Sequence, residues 1–427
     1  MVGLVSTLVV ILLLLFGFPL WLVFLSSGFA LLTLSQAGIP PDMLASRMFS
    51  SLNVYALLAV PGFIFAAELM VRGGMSRRLV DWVTVLLGKV PGGVPVTTIA
   101  ASEVFGAISG SSTATVAGIG KVLYPGLRQS GYTENFSLGL ITSMGAIAVI
   151  VPPSITMILY GAVASASVGQ LFLAGFGPAV LIGLIVTAYS VWYSLRHSIA
   201  TRQLGWNAEA FWLATRRAAW TLGAPVIIFG GIYSGFFTPT EASVVLCVYA
   251  LIVTVAIYRD LSLKGVWDVA LESALLTGKI FTIVAAASVF SLVLVIESIP
   301  ESIVGMLLAW EMSPFMILLM LNVVLLIAGM FMDPNSAIVV LVPLLLPIAL
   351  AAGVDVIHFG IIMTVNLAIG MFTPPFGLNL FVSSSIFNVS ASRIIKGVLP
   401  FIAIYVLALM MVTYVPWISM WLPNLAG

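Results

Sequence analysis

Apolar residues run in long blocks along this chain, with polar residues gathered into short clusters between them. About 20 consecutive apolar residues cross a bilayer core as a helix. Blocks of that kind at about 4–34, 53–71, 134–166, 169–195, 219–237, 239–258, 270–296, 357–387 and 396–422 predict nine spans. Two further blocks, about 92–127 and 314–351, fit poorly as single spans. Each carries a polar cluster at its centre, SGSSTAT (109–115) and MDPNSA (332–337). Each is long enough for two half-depth helices, so both are predicted as re-entrant hairpins with the cluster at the tip. Two of the spans contain a Pro-Pro pair, at 152–153 and 374–375. Proline lacks an N–H and its ring clashes with the preceding turn, so both spans are predicted to break there.

The two Pro-Pro pairs are 222 residues apart, and the same shift carries Pro125 onto Pro347 and Pro178 onto Pro400. It also carries Gly131 onto Gly353, Gly175 onto Gly397, and the tip SST (111–113) onto DPN (333–335). A fixed shift that matches so many helix-breaking residues signals an internal repeat. Charge orients the two copies. Arg72, Arg77, Arg78, Asp81 and Lys89 precede the first hairpin, whereas Glu297, Glu301 and Glu311 precede the second; Arg128 follows the first and Asp355 the second. Cytoplasmic loops are rich in Lys and Arg. The first hairpin is therefore expected to open to the cytoplasm and the second to the outside. The expected domains are a first repeat at 1–218, a linking span at 219–237 and an inverted second repeat at 238–427. The N-terminus would be inside and the C-terminus outside. The arm 198–218, with Trp206, Trp212, Arg216 and Arg217, reads as an interfacial helix.

Composition agrees. The chain of 427 residues is 61% hydrophobic and 7% charged, against roughly 25% charged in a soluble domain, and its mean hydropathy is +1.21. The expected class is an all-α polytopic membrane protein. A net charge of +1 advertises no nucleic-acid surface, and the single cysteine, Cys247, allows neither an intrachain disulfide nor a cysteine metal cluster. No charge precedes Asp42, so the first apolar block is expected to be a retained span and not a cleaved signal.

Broken helices inside a membrane are tolerated where they are buried or line a cavity, and inverted repeats place a binding site where half-helix ends meet. Carbonyls freed by proline are hard oxygen ligands suited to Na⁺, and half-helix N-termini offer N–H groups to a carboxylate. The first candidate site combines Ser109, Ser111, Ser112, Thr113 and Thr115 at the tip with Gly110 for the turn. Gly145 and the carbonyls near Val149 and Pro152 are expected to face it from the broken span. The second has Asp333, Asn335 and Ser336 at the tip, with Gly370, Thr373, Pro375 and Asn379 on the break. An intramembrane carboxyl is a functional candidate by default, and Asp333 can also cap the helix that follows it. Lys279 could pair with a substrate carboxylate or with Glu241, the ion pair being favoured. Glu68 and Glu103 are expected near cytoplasmic helix ends in solvated or pairing roles, and His197 and His358 in or near loops without a chemical role. An intramembrane enzyme using Ser109 lacks a nearby histidine base. A passive channel fits the mirrored tips less well than alternating access does.

The stretches SGSSTATVAGIG (109–120), GIYSGFFTPTEAS (231–243), MDPNSAIVVLVPLLLPI (332–348) and GMFTPPFGLNLF (370–381) resemble, in order, the large membrane subunit of TRAP transporters, the DctM-like family of the ion-transporter superfamily. The resemblance covers essentially the whole chain. It implies an elevator-type importer of organic acids coupled to Na⁺, with at least two ions, in the inner (cytoplasmic) membrane of a bacterium or archaeon. Its partners would be a small four-helix membrane subunit and a soluble periplasmic substrate-binding protein. The family pattern implies Na⁺ ligands at Ser109, Ser111, Gly145, Val149 and Pro152, and at Asp333, Gly370 and Thr373. It implies substrate contacts at Ser112, Thr113, Asn335 and Asn379. A symporter of the same superfamily that needs no binding protein is the alternative. No Arg stands in either tip or broken span, which leaves the substrate class open. The repeats start near the beginning of the chain, so the small subunit is expected to be a separate protein. It would cover the scaffold formed by 4–34, 53–71, 239–258 and 270–296.

Overall fold

The structure, a computed structural model, describes residues 13, 16–34, 40–87, 92–199 and 208–426, all helix or short connection. The first part of the span 4–34, Lys89, Arg202 and Trp206 lie outside these residues. In chain order the helices are α1 (Leu20–Leu34), α2 (Pro41–Leu52), α3 (Ala59–Arg72), α4 (Met75–Leu87), α5 (Gly93–Ser109) and α6 (Ser112–Gln129). Next come α7 (Glu134–Gly145), α8 (Ile155–Ala164), α9 (Val168–Arg196), α10 (Ala208–Tyr233), α11 (Pro239–Leu251) and α12 (Leu263–Ile296). The last are α13 (Ile299–Ala309), α14 (Pro314–Phe331), α15 (Pro334–Ala351), α16 (Val356–Gly370), α17 (Leu378–Phe387), α18 (Ala391–Tyr414) and α19 (Trp417–Ala426). Among the described residues, seven helical segments are long and apolar enough to cross a membrane.

Helices α5 and α6 form one hairpin and α14 and α15 the other. Their arms have 17 to 18 residues each, or about 26 Å at 1.5 Å per residue, longer than the half-depth helices expected. Both predicted breaks are present. The first separates α7 from α8 through a 3₁₀ turn at Ala146–Val149, and the second separates α16 from α17. The Pro152–Pro153 and Pro374–Pro375 bonds are both cis. Boundaries in the two halves coincide under one shift: Ser112–Gln129 and Pro334–Ala351 are offset by 222 residues at both ends.

Two further expectations need correction. The arm 198–218 and the linking span are not separate, because α10 runs unbroken from Ala208 to Tyr233. The segment AEAFWLATRRAAWTL contains no glycine or proline to end it. The span 396–422 is split after Tyr414, where Pro416 cannot continue the ladder. The amphipathic helices α2, α4 and α13 were not anticipated. Helix α4 buries Met75, Leu79, Val80 and Val83 at helical spacing, and its Trp82 Nε1 donates to Thr215 Oγ1 at 3.0 Å.

Helices α7 and α16 sit at the centre, with every residue of 136–145 and of 357–370 buried. A helix apolar all round belongs inside a bundle. Close backbone approaches fix it there, and small residues permit them. A Cβ on Gly106 of α5 would lie 2.8 Å from Ala148 Cα beside the first break. One on Gly370 of α16 would lie 2.5 Å from Gly329 Cα of α14. Gly139 of α7 likewise lies against the Gly397 backbone of α18.

Candidate functional site

Each hairpin tip is a helix restart. After α5, Gly110 takes the left-handed conformation (φ 55°) and Ser111 is extended. The Ser111 side chain then accepts the Ala114 N–H at 3.4 Å. At the second tip Asp333 is extended, and its Oδ2 accepts the Ser336 N–H at 3.1 Å. Both are N-caps, three residues ahead of the N–H they satisfy. The positive dipole ends of α6 and α15 therefore lie at the two tips.

The first tip is a hydroxyl cluster. Ser109 Oγ lies 3.1 Å from Thr115 Oγ1, Thr115 Oγ1 donates to Ser111 O at 2.9 Å, and Ser111 Oγ lies 3.3 Å from Thr113 Oγ1. The break packs on it. A Cβ on Gly110 would be 3.1 Å from Pro153 O, and one on Gly145 would be 3.2 Å from Ser112 O. In a continuous helix the carbonyls of Ala148 and Val149 would accept from residues 152 and 153, and both are proline. The structure thus brings Ser109, Ser111 and Gly145 to one place, with Val149 and Pro152 on the adjoining break.

The second tip carries the charge. Asp333 is half-buried, its Oδ1 accepts from Ser336 Oγ at 2.5 Å, and no ion pair among the described residues includes it. Gly370 packs on Gly329, one turn before Asp333. Across the break, Thr373 N–H donates to Gly370 O at 3.1 Å and Asn379 N–H to Met371 O at 2.8 Å. Thr373 Oγ1 donates to Ile369 O at 2.7 Å. Among the described residues no three His, Cys, Asp or Glu side chains converge. The donors at both tips are carbonyl and hydroxyl oxygens plus one carboxylate, a hard set that suits a hard cation.

The expected substrate residues divide into two links between the halves. Ser112 of the first tip donates to Asn379 Oδ1 at 3.0 Å and accepts from Asn379 Nδ2 at 2.8 Å, and Asn379 Nδ2 also reaches Thr142 O at 3.1 Å. Asn335 of the second tip accepts from Thr156 Oγ1 at 2.8 Å, and Thr156 is in the first turn of α8. Each tip is therefore bonded to the half-helix beyond the other half's break. Thr113 stays with Ser111. Thr156 was missed, although its hydroxyl two residues after the Pro-Pro-Ser run was visible in the sequence. Also missed was a buried chain in which Asn366 Nδ2 donates to Asn322 Oδ1 at 2.7 Å and Asn322 Nδ2 to Thr413 Oγ1 at 3.2 Å.

Three expectations about charged residues fail or shift. Lys279 and Glu241 form no pair: Lys279 is exposed on α12, and Glu241 Oε2 accepts from Thr238 N–H at 2.8 Å and from its hydroxyl at 2.9 Å, closing a capping box. Glu103 is not at a solvated end. It lies inside α5 against Gly183 of α9, and its buried Oε1 has no hydrogen-bond partner. His358 is not in a loop but buried in the first turn of α16, its Nε2 2.9 Å from Val412 O. Glu68 does pair, with Arg72 at 3.6 Å, and Arg72 also reaches Glu272. His197 is exposed and stacks on Tyr193.

Residues 7–418 match the family described as the tripartite ATP-independent periplasmic transporter, DctM component. The chain belongs to this family. It is 42% identical to the C4-dicarboxylate TRAP transporter large permease DctM of Pseudomonas aeruginosa, over 90% of each chain. It is 38% identical to the ectoine/5-hydroxyectoine large permease UehC of Ruegeria pomeroyi, over 98% of each. It is 43% identical to the isethionate permease DctMQ of Oleidesulfovibrio alaskensis, over 92% of this chain, and spans 62% of that protein's length. The fold is similar to the crystal structure of the Alcanivorax borkumensis YdaH transporter, with a TM-score of 0.52, 12% identity and coverage of 88% of this chain and 87% of the other. As a DctM component, the chain is a multi-pass transporter permease and not an enzyme.

Proposed function

We propose that this DctM component imports an organic acid anion by Na⁺ symport across the inner membrane. It acts with a separate small four-helix subunit and a periplasmic binding protein. The observation that carries the reading is the pairing of each capped tip with a proline break in its own half, and its bond to the broken span of the other half. Two halves built this way support inverted repeats and an elevator motion of the hairpins and breaks against a scaffold of α1, α3, α11 and α12. One Na⁺ would use Ser109, Ser111 and the oxygens of Gly145, Val149 and Pro152. A second would use Asp333, Gly370 and Thr373. Ion binding would order the tips and ready Ser112, Thr113, Asn335 and Asn379 for the anion, opening the Ser112–Asn379 and Thr156–Asn335 links. Relatives named for a dicarboxylate, a sulfonate and a zwitterion favour an acid group as the shared feature.

The test is uptake into proteoliposomes holding this chain and its small subunit, with the binding protein outside. Labelled succinate, isethionate and ectoine are offered with and without an inward Na⁺ gradient. Na⁺-driven uptake that requires the binding protein supports the proposal. Uptake without the binding protein selects the alternative symporter, and uptake indifferent to Na⁺ removes the two-ion reading.

A further inference from the structure

A cavity of about 370 Å³ lies between α2, α12, α8 and α15. Its polar lining is Arg47, Ser50, Ser51, Ser165, Ser288 and Ser291. The rest is apolar, including Val163 and Val339. Arg47 stands apart from the other basic loops. Arg72, Arg77, Arg78 and Arg217 line one groove with Asp260. That groove is separated from α2 by the helical run Tyr55–Arg72, about 27 Å long. Connections at the cavity's end of the molecule, at 165–167, 234–238, 297–298, 310–313, 352–355 and 415–416, contain no basic residue. Arg47 is therefore an exception to the charge asymmetry that orients the chain. Arg47 is exposed, and no ion pair among the described residues includes it.

The cavity also leads somewhere. Val339 is one helical turn beyond Asn335 on α15, and Val163 is two turns beyond Thr156 on α8. The Thr156–Asn335 bond at 2.8 Å thus lies below the cavity, one helical turn from Val339, and joins its two inner helices at a candidate substrate residue. Ser50, Ser51 and Ser288 donate to backbone carbonyls of their own helices and keep lone pairs only, while Ser165 and Ser291 make no side-chain hydrogen bond among the described residues. A cation and two free hydroxyl donors in one recess are what a carboxylate or sulfonate needs.

We propose that this cavity is an outer binding site for the anionic group of the substrate, held by Arg47 with Ser165 and Ser291, before the Thr156–Asn335 bond opens. The site supplies the cation that both tips lack, and it rests on the import reading above. One wall, α2 and α12, is on the scaffold side and the other, α8 and α15, on the side of the hairpins and breaks. Movement between them would therefore release the anion inward.

The experiment is Arg47→Cys in a Cys247→Ser background, in phosphatidylcholine vesicles with the small subunit and saturating loaded binding protein. The initial rate of uptake of succinate, isethionate and ectoine is read before and after thiosulfonate labelling. Arg47→Cys is expected to slow about tenfold whichever of the three the unaltered protein imports, since each carries a carboxylate or sulfonate, the loss of one charge-assisted contact. A cationic label restores the rate and an anionic label lowers it further. Arg47→Lys keeps most of the rate and shows that the position tolerates change. Restoration by a neutral label of the same size assigns a steric role and overturns the proposal. So does recovery when binding protein is raised further, which assigns docking. So does charge dependence seen only after phosphatidylglycerol is added, which assigns a lipid phosphate. Equal rates in all variants overturn this inference alone, whereas absence of any Na⁺-driven uptake by the unaltered protein removes the import reading with it.

Discussion

The two tips solve one backbone problem with different chemistry. Both restart a helix behind an extended cap, at Ser111 and at Asp333, and each cap reaches the N–H three residues on. The first cap is a hydroxyl among neutral hydroxyls, and the second is a carboxylate that accepts from the Ser336 hydroxyl. A neutral cap costs little to bury, and its cation would rely on carbonyl dipoles. A carboxylate half-buried without a basic partner is costly and is relieved by a cation. The second site should therefore bind an ion more tightly and depend more on one residue.

The largest expected effect follows from that asymmetry. Asp333→Asn keeps a good cap but removes the charge, so Na⁺-driven uptake should fall about 100-fold, equivalent to roughly 2–3 kcal/mol for a charged ligand, with little loss of thermal stability. Wild-type-like Na⁺ dependence in Asp333→Asn would make the carboxylate a cap and nothing more. Ser111→Ala removes only a neutral cap and one hydroxyl, at about 1 kcal/mol, and should slow uptake less than Asp333→Asn does. Equal losses would erase the distinction between the tips.

Next come the glycine crossings that press each break onto its hairpin. Gly106→Ala and Gly370→Ala should each cost about 1–3 kcal/mol by overpacking, seen as a lower unfolding midpoint in detergent. If either is neutral, the close approach in that half is not needed. The cross-half links give a smaller effect. Ser112→Ala with Asn379→Ala in a double-mutant cycle should show coupling of about 1 kcal/mol, and Thr156→Val with Asn335→Ala somewhat less, because Asn335 is half-buried. Additivity at Ser112–Asn379 would mean that the halves are held by packing alone. Smallest of all, Lys279→Gln should change stability by under about 0.5 kcal/mol and leave uptake unaltered. A tenfold loss of uptake would return Lys279 to the substrate path.

Much of the candidate site was legible because its signals are local. A polar cluster inside an apolar block marks a turn, a Pro-Pro pair marks a break, and Asp333 before Pro334 marks a helix start wherever the chain goes. Glu103 was misjudged because distance along the sequence from a basic loop says nothing about depth. Only the approach of Gly183 shows that its carboxyl is enclosed. The Lys279–Glu241 pairing failed for the opposite reason, since a capping box four residues long satisfies Glu241 without any distant partner.

The sequence by itself determined that this is a helical membrane protein with two hairpins and two broken spans, because apolar length and proline act within one or two helical turns. Only the tertiary structure decided that Ser112 meets Asn379, that Thr156 meets Asn335, and that Arg47 looks into a recess above them. Those contacts join residues far apart in the chain, on helices whose rotation and depth are set by glycine-to-backbone packing, and no local pattern records which face of one helix another will touch.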